Sequence, residues 1–176
     1  KNEEFADLYH TNEEGEKTKG DNLVEDVIIE TDLELLFPPI YIPNDSERVA
    51  IYTELNNLEK EEDVNKFVTR LEDRFGKIPK EGKELIGVIR LRRIAKSLSI
   101  EKVVLRKGQM MLFLVSNPDS LYYQSQAFDK LLTYIQQHPR ECQLRDNQGK
   151  RSIVMKNVEN VDKAYFILND INNEQI

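Results

Sequence analysis

The hydrophobic period of this chain is helical from Asn44 to Leu98 and then turns strand-like, and that change sets the fold class. Up to that point apolar residues recur at steps of three and four. One set is Val49, Tyr52, Leu55 and Leu58; a second is Val64, Phe67, Val68, Leu71 and Phe75; a third is Leu85, Ile86, Ile89, Ile94 and Leu98. Each set covers one face of a helix. Asp45 and Ser46 are good N-caps for the first helix. Gly76 stops the second as a glycine just past its end, and Pro79 bars continuation. The third runs from about Lys80 to Leu98.

Beyond Leu98 strand patterns enter, alongside two further helices. Residues 100–105 and 110–115 are apolar or β-branched runs separated by Arg106-Lys107-Gly108-Gln109, which predicts a hairpin. Asn117-Pro118-Asp119 opens a fourth helix that carries Leu121, Phe128, Leu131, Leu132 and Ile135, and His138-Pro139 closes it. Residues 141–144 and 152–155 form a second hairpin around Asp146-Asn147-Gln148-Gly149. A last helix from about Glu159 aligns Val161, Tyr165, Leu168 and Ile171. Strands and helices do not alternate as in a doubly wound sheet. The class is therefore α+β, a single compact domain of about five helices with two short β-hairpins.

An extended strap and an acidic leader precede this domain. Residues 1–26, with Glu13-Glu14-Gly15-Glu16-Lys17-Thr18-Lys19-Gly20 at their centre, read as a flexible acidic linker. Residues 27–44 read as a Pro-rich strap: Val27 to Leu35 is strand-like, and Pro38, Pro39 and Pro43 keep residues 37–42 extended. The folded domain occupies residues 45–176. There is no initiator Met, so the sequence reads as a piece of a longer chain.

Charge divides the same way. Residues 1–62 hold 18 acidic and 5 basic side chains, a net charge of −13, whereas residues 63–176 hold 14 and 20, a net charge of +6. An acidic leader on a mildly basic body can contact an oppositely charged partner or its own chain. No apolar run approaches the ~18 residues of a membrane span. A single cysteine, Cys142, excludes an internal disulfide framework and fits a reducing, cytoplasmic compartment.

Chemistry-bearing motifs are scarce. A nucleotide-hydrolysing loop, G-x-x-x-x-G-K-[ST], is not encoded; Gly76-Lys77, Gly82-Lys83 and Gly149-Lys150 lack its length and its hydroxyl. His138 and Cys142 have i, i+4 spacing, but Pro139 breaks any helix between them, and no other soft ligand is near. Cys142 in a strand reads as a small buried hydrophobe. Glu61-Glu62-Asp63 sits where carboxylates complement a helix dipole. The expectation is a non-catalytic fragment with no metal, no cofactor and no small-molecule substrate of its own.

Two charged clusters remain. Arg90, Arg92, Arg93 and Lys96 make a basic stripe on the third helix, readable as a phosphate contact or as a solvated face. With Lys102 and Arg106 it is the alternative, a nucleic-acid-binding surface, although no aromatic platform interleaves with it. The other cluster is Arg70-Leu71-Glu72-Asp73-Arg74-Phe75-Gly76. Leu71 and Phe75 turn inward, which leaves Asp73 and Arg74 at the sides of a helix terminus, free to pair with another surface or to cap locally.

Here the chain resembles a known family. Tyr41-Ile42-Pro43-Asn44 followed by Arg48 and Tyr52, then Leu71-Glu72-Asp73-Arg74-Phe75-Gly76-Lys77-Ile78-Pro79, then Leu91-Arg92-Arg93-Ile94-Ala95-Lys96-Ser97-Leu98-Ser99-Ile100, are similar to the C-terminal regulatory domain of bacterial transcription-repair coupling factors (Mfd). The likeness runs from about Val27 to Ile171. Arg70 stands where the family often has Glu, and Ser99 where it often has Gly. The resemblance implies a full-length protein that displaces stalled RNA polymerase with an ATP- and Mg-dependent double-stranded DNA translocase and recruits nucleotide-excision repair. It implies that the motor lies upstream and that this domain docks on the factor's own UvrB-like module, masking the surface that would bind UvrA. Acidic residues on the helix that ends in the aspartate-arginine-phenylalanine-glycine motif would meet arginines of that module. The partner-binding candidates are accordingly Asp73, Arg74, Arg70 and Glu72.

Overall fold

The computed structural model describes residue 24 and residues 26–174. The linker expected over residues 1–26 lies outside them except for Val24 and Asp26, and Val24 is buried.

Among the described residues, five helices and five strands follow in the order β1 (Ile28–Thr31), α1 (Asp45–Asn56), α2 (Glu61–Phe75), α3 (Lys80–Ser97), β2 (Lys102–Arg106), β3 (Gln109–Phe113), α4 (Gln126–Gln137), β4 (Cys142–Asn147), β5 (Lys150–Lys156) and α5 (Val161–Asn172). A short 3₁₀ turn, Leu121–Gln124, precedes α4. The class is α+β, as the change of period predicts.

The hairpins are not separate. They join into one mixed sheet of order β1-β2-β3-β5-β4. The start of the strap supplies its first strand, because β1 pairs in parallel with β2, with Ile29 opposite Val103. Both hairpin turns are two residues long, Lys107-Gly108 and Gln148-Gly149, all four at positive φ. This is the primed geometry whose twist suits adjacent strands.

The rest of the strap bends. Tyr41 N and Ile42 N both donate to Pro38 O, so residues 38–42 make a turn instead of running straight. Pro38 supplies only a carbonyl to it, and the turn rolls Phe37 and Ile42 inward while Ile40 stays 93% exposed.

Helix ends follow local chemistry. Asn44, not Asp45 or Ser46, caps α1, its side chain accepting from Glu47 N at 2.9 Å. Gly76 ends α2 at φ +85°, a conformation that costs other residues dearly. Two positions read as inward face outward: Val49 is 61% exposed and Leu121, in the 3₁₀ turn before the helix proper, is 73% exposed.

Two apolar clusters meet on α3. Ile86 and Ile89 pack with Phe37, Ile42, Leu55, Val64, Phe67, Leu71 and Ile78. Val88, Leu91, Ile94, Ala95 and Leu98 pack with one face of the sheet, α4 and α5. Serving both, α3 is the spine of the domain. Its glycines mark the closest approaches: a Cβ on Gly82 would lie 2.9 Å from the Phe37 ring, and one on Gly87 would lie 2.8 Å from Val161. At the second contact Glu84 also accepts from Val161 N at 3.0 Å, tying α3 to the start of α5.

Candidate functional site

The helix that carries Arg70, Glu72, Asp73 and Arg74 is fixed at its C-terminal end by aromatic rings. Phe75 packs on Tyr41 with centroids 5.7 Å apart, Tyr41 on Phe37 at 6.3 Å, and Phe37 stacks on Tyr52 at 5.4 Å. Hydrogen bonds lock both ends of this ladder. Tyr41 OH donates to Gly76 O at 2.7 Å, and Tyr52 OH accepts from Phe37 N at 2.9 Å. Burial is the main cause, and Glu72 a smaller one, of the raised pKa of Tyr41, which keeps its donor proton. Two turns separated by 35 residues are thereby pinned together, and the position of the α2 end follows from the strap.

The four candidate residues do not form one patch. Arg70 and Arg74, one turn apart, reach across to α1 and pair with Glu54 and Glu47. Arg74 also lies over the Phe75 ring, 5.0 Å from its centroid. Beneath these bridges runs a groove of about 270 Å³ whose lining includes Ile51, Phe67, Leu71 and Phe75. Glu72 lies on the other side of the helix, bordering a recess of about 210 Å³ with Lys83, Ile86 and Asp162. Asp73 is exposed on the outer side, in line with Thr69 and Lys66. Among the described residues it makes no hydrogen bond or ion pair. It therefore does not cap the helix: Gly76 N, the group past the end, donates to Glu72 O instead.

The basic stripe divides as well. Arg90 and Arg93 both fold onto Glu61 at the start of α2, Arg90 at 2.9 Å, and Arg93 also donates to Glu59 O at 3.3 Å. These contacts brace α2 against α3. Arg92 and Lys96 make no such contact among the described residues. Lys102 and Arg106, the strand members of the alternative set, both pair with Glu30 of β1, at 3.2 and 3.4 Å. Sequence reading missed Glu47, Glu54 and Glu61 as partners. Their signal was present in α1, where Glu47 and Glu54 are seven apart and so lie on one face, opposite the one-turn spacing of Arg70 and Arg74.

His138 and Cys142 share no side-chain hydrogen bond among the described residues. The ring of His138 stacks on Tyr134, 4.0 Å between centroids, with Nδ1 2.9 Å from Tyr134 O. Its link to Cys142 is through the backbone. Burial, with a smaller push from Glu141, raises the Cys142 thiol to about 11, so it stays protonated. Among the described residues no three His, Cys, Asp or Glu side chains are placed to hold a metal, and no helix is long and apolar enough to cross a membrane.

Comparison with known proteins agrees with the motifs. The transcription-repair-coupling factor of Borreliella burgdorferi is 27% identical over 149 residues, 84% of this chain and 13% of that protein. Its counterpart in Rickettsia typhi is 23% identical over 129 residues, 72% of this chain and 11% of that protein. The Escherichia coli factor is 31% identical over 78 residues, 42% and 7% of the two chains. The chain thus spans about an eighth or less of the length of these curated relatives. A crystal structure of the C-terminal domain of transcription-repair coupling factor superposes with a TM-score of 0.67 at 13% identity, covering 91% of this chain and 99% of that one, so the fold is shared. The TRCF domain model matches residues 31–125, from the last residue of β1 to Ser125, the cap just before α4, and on that match the chain belongs to the TRCF domain family.

Proposed function

We propose that this domain is a non-catalytic, autoinhibitory docking module, which binds the UvrB-like module of its own full-length factor and masks the UvrA-binding surface there. The single observation that carries this reading is Asp73. It is an exposed carboxylate with no partner of its own among the described residues, held at a helix end that the Phe75–Tyr41–Phe37–Tyr52 ladder makes rigid. A charge held in place loses little entropy on pairing, so it suits a contact that must be specific. Arg70 and Arg74 serve differently, since both are held by α1. They shape the groove beside Asp73 and keep its rim polar.

In this proposal the factor's ATP-driven translocase, with its Mg, lies in another part of the protein, as do its contacts with RNA polymerase and double-stranded DNA. The nucleic-acid alternative has less to support it. Of its six cations, Arg90, Arg93, Lys102 and Arg106 are already bound to carboxylates of the same domain.

The test is Asp73→Ala in the full-length factor. Truncating one partner of a partly desolvated pair costs about 2–5 kcal/mol, so UvrA binding and basal ATPase should rise at least tenfold as the mask loosens. Unchanged UvrA affinity would overturn the proposal.

A further inference from the structure

The sheet ends at β4, whose strand neighbour among the described residues is β5. Register decides which backbone groups of β4 face outward. Lys156 N donates to Glu141 O at 2.9 Å, so these two residues are a hydrogen-bonded pair. In an antiparallel ladder such pairs alternate with open ones, so Gln143–Val154 and Arg145–Ser152 are hydrogen-bonded pairs as well. Cys142, Leu144 and Asp146 therefore turn their N–H and C=O groups away from β5. Cys142 N fits this phase, since it donates to His138 O at 3.0 Å. The outward N–H and C=O of Leu144 and the N–H of Asp146 have no partner among the described residues.

Five of the six residues of β4 are exposed, Leu144 at 39%. Such an edge is a template for a further strand unless its side chains repel one. Here they select by charge. Asp146 is engaged within its own hairpin, pairing with Arg151 at 3.4 Å and accepting from Gly149 N at 3.1 Å. On the face that carries Gln143 and Arg145, a recess of about 190 Å³ is lined by Arg140, Arg145, Lys156, Gln109 and Gln143. Its three cations are exposed and make no ion pair among the described residues, and Glu141 is the carboxylate that shares the lining.

A strand added at this edge would make its open pairs opposite Gln143 and Arg145, with Cα atoms about 4.5 Å apart. Side chains at those two positions would lie on the recess face, and the residue between them would share the face of Leu144. The edge thus fits an extended segment with carboxylates at i and i+2 and an apolar residue at i+1. A second copy paired about Leu144 fits less well, because it would set Arg145 opposite Gln143 and offer it no carboxylate. A phosphate backbone would meet the cations but leave the N–H and C=O of Leu144 unpaired.

We propose that the β4 edge is a docking site for an acidic, extended segment of a partner protein, which adds an antiparallel strand to the sheet. Its backbone pairs with Leu144 and Asp146, one carboxylate meets Arg145, and the other meets the Arg140 and Lys156 side of the recess. This surface is built from other residues than the Asp73 side of α2, and it stands or falls separately from the docking proposed above.

The test titrates the whole chain with a capped nine-residue peptide of alternating glutamate and valine, followed by amide NMR. At 50 mM salt the peptide should bind saturably, shift the Leu144 and Asp146 amides most, and slow their exchange at least tenfold. At 500 mM salt the affinity should fall at least tenfold. A lysine–valine peptide should not bind, and Arg145→Glu should weaken the glutamate peptide at least tenfold. Leu144→Pro removes an outward donor, which an edge strand tolerates, and should weaken binding as much while the β4–β5 ladder persists. If that variant melts early, slowed exchange at Leu144 in the unaltered chain draws the same distinction. No binding, shifts centred elsewhere, equal binding of the lysine peptide, or binding without slowed exchange at Leu144 would each overturn the proposal. So would a Leu144 amide that shifts when the free chain is concentrated, which would mean pairing with a second copy.

Discussion

The two ends of this domain handle exposed charge in opposite ways. At the helical end, Arg70, Arg74, Arg90 and Arg93 are each engaged by a carboxylate of α1 or α2, leaving Asp73 at the α2 end without a partner among the described residues. At the sheet end, Arg145, Lys150 and Lys156 are exposed and make no ion pair among the described residues. The difference teaches how a polar domain can single out particular charges for contact. An unpaired charge beside paired neighbours is a candidate contact, and its sign limits what can pair with it.

Stability should divide along the same line. Phe37 is 1% exposed and touches the strap, α1 and α3, so Phe37→Ala should cost about 3–5 kcal/mol in urea unfolding. Ile28→Thr, 58% exposed on the edge strand β1, should stay within about ±0.5 kcal/mol. Equal losses would mean that the contrast is false.

Gly87→Ala sharpens the comparison, because it strikes the spine that both ends share. The new methyl would lie 2.8 Å from Val161 Cγ1, and overpacking of this kind costs about 1–3 kcal/mol. Both ends should then melt together at a lower midpoint. Separate transitions seen by tyrosine fluorescence and by amide exchange in the sheet would show that α3 does not unite them.

Tyr41→Phe should be milder. It removes one hydrogen bond, to Gly76 O, worth about 1 kcal/mol, and should speed amide exchange in the last turn of α2 while leaving the sheet untouched.

Cys142, on the packed side of the sheet, gives the smallest effect. Burial holds its thiol at about 11 when folded, against about 9 for an exposed thiol. The folded chain therefore retains a proton that the unfolded chain gives up. This contribution to stability is whole below pH 9 and is lost as pH rises toward 11. At pH 8 the thiolate fraction is about a hundredfold lower in the folded chain, and iodoacetamide should react correspondingly more slowly than it does in urea.

Much of this architecture is legible in the sequence, for physical reasons that also mark where legibility stops. The periods around Val64–Phe75 and Val161–Ile171, the Gly76 stop and the two positive-φ turns are local, and local steric rules fix them. The parallel pairing of β1 with β2 joins residues more than 70 apart, and no short window encodes it. Gly82 and Gly87 read as poor helix formers until the structure shows what would touch their side chains. Val49 keeps helical spacing yet faces outward, since α1 is buried by Tyr52, Leu55 and its two paired glutamates instead. Of the site, the α2 end was readable as a cluster. Its division into bound arginines and a free aspartate was not, because the binding carboxylates lie on another helix.

The central claim is that Asp73 belongs to an interface and not to the fold. Calorimetric titration of this chain against the isolated UvrB-like module, wild type beside Asp73→Ala, tests it most directly when paired with thermal melting of both chains. The account predicts at least a tenfold weaker affinity for Asp73→Ala with a melting temperature within about 1–2 °C of wild type. Equal affinities, or a melting temperature lowered as far as by Phe37→Ala, would contradict it.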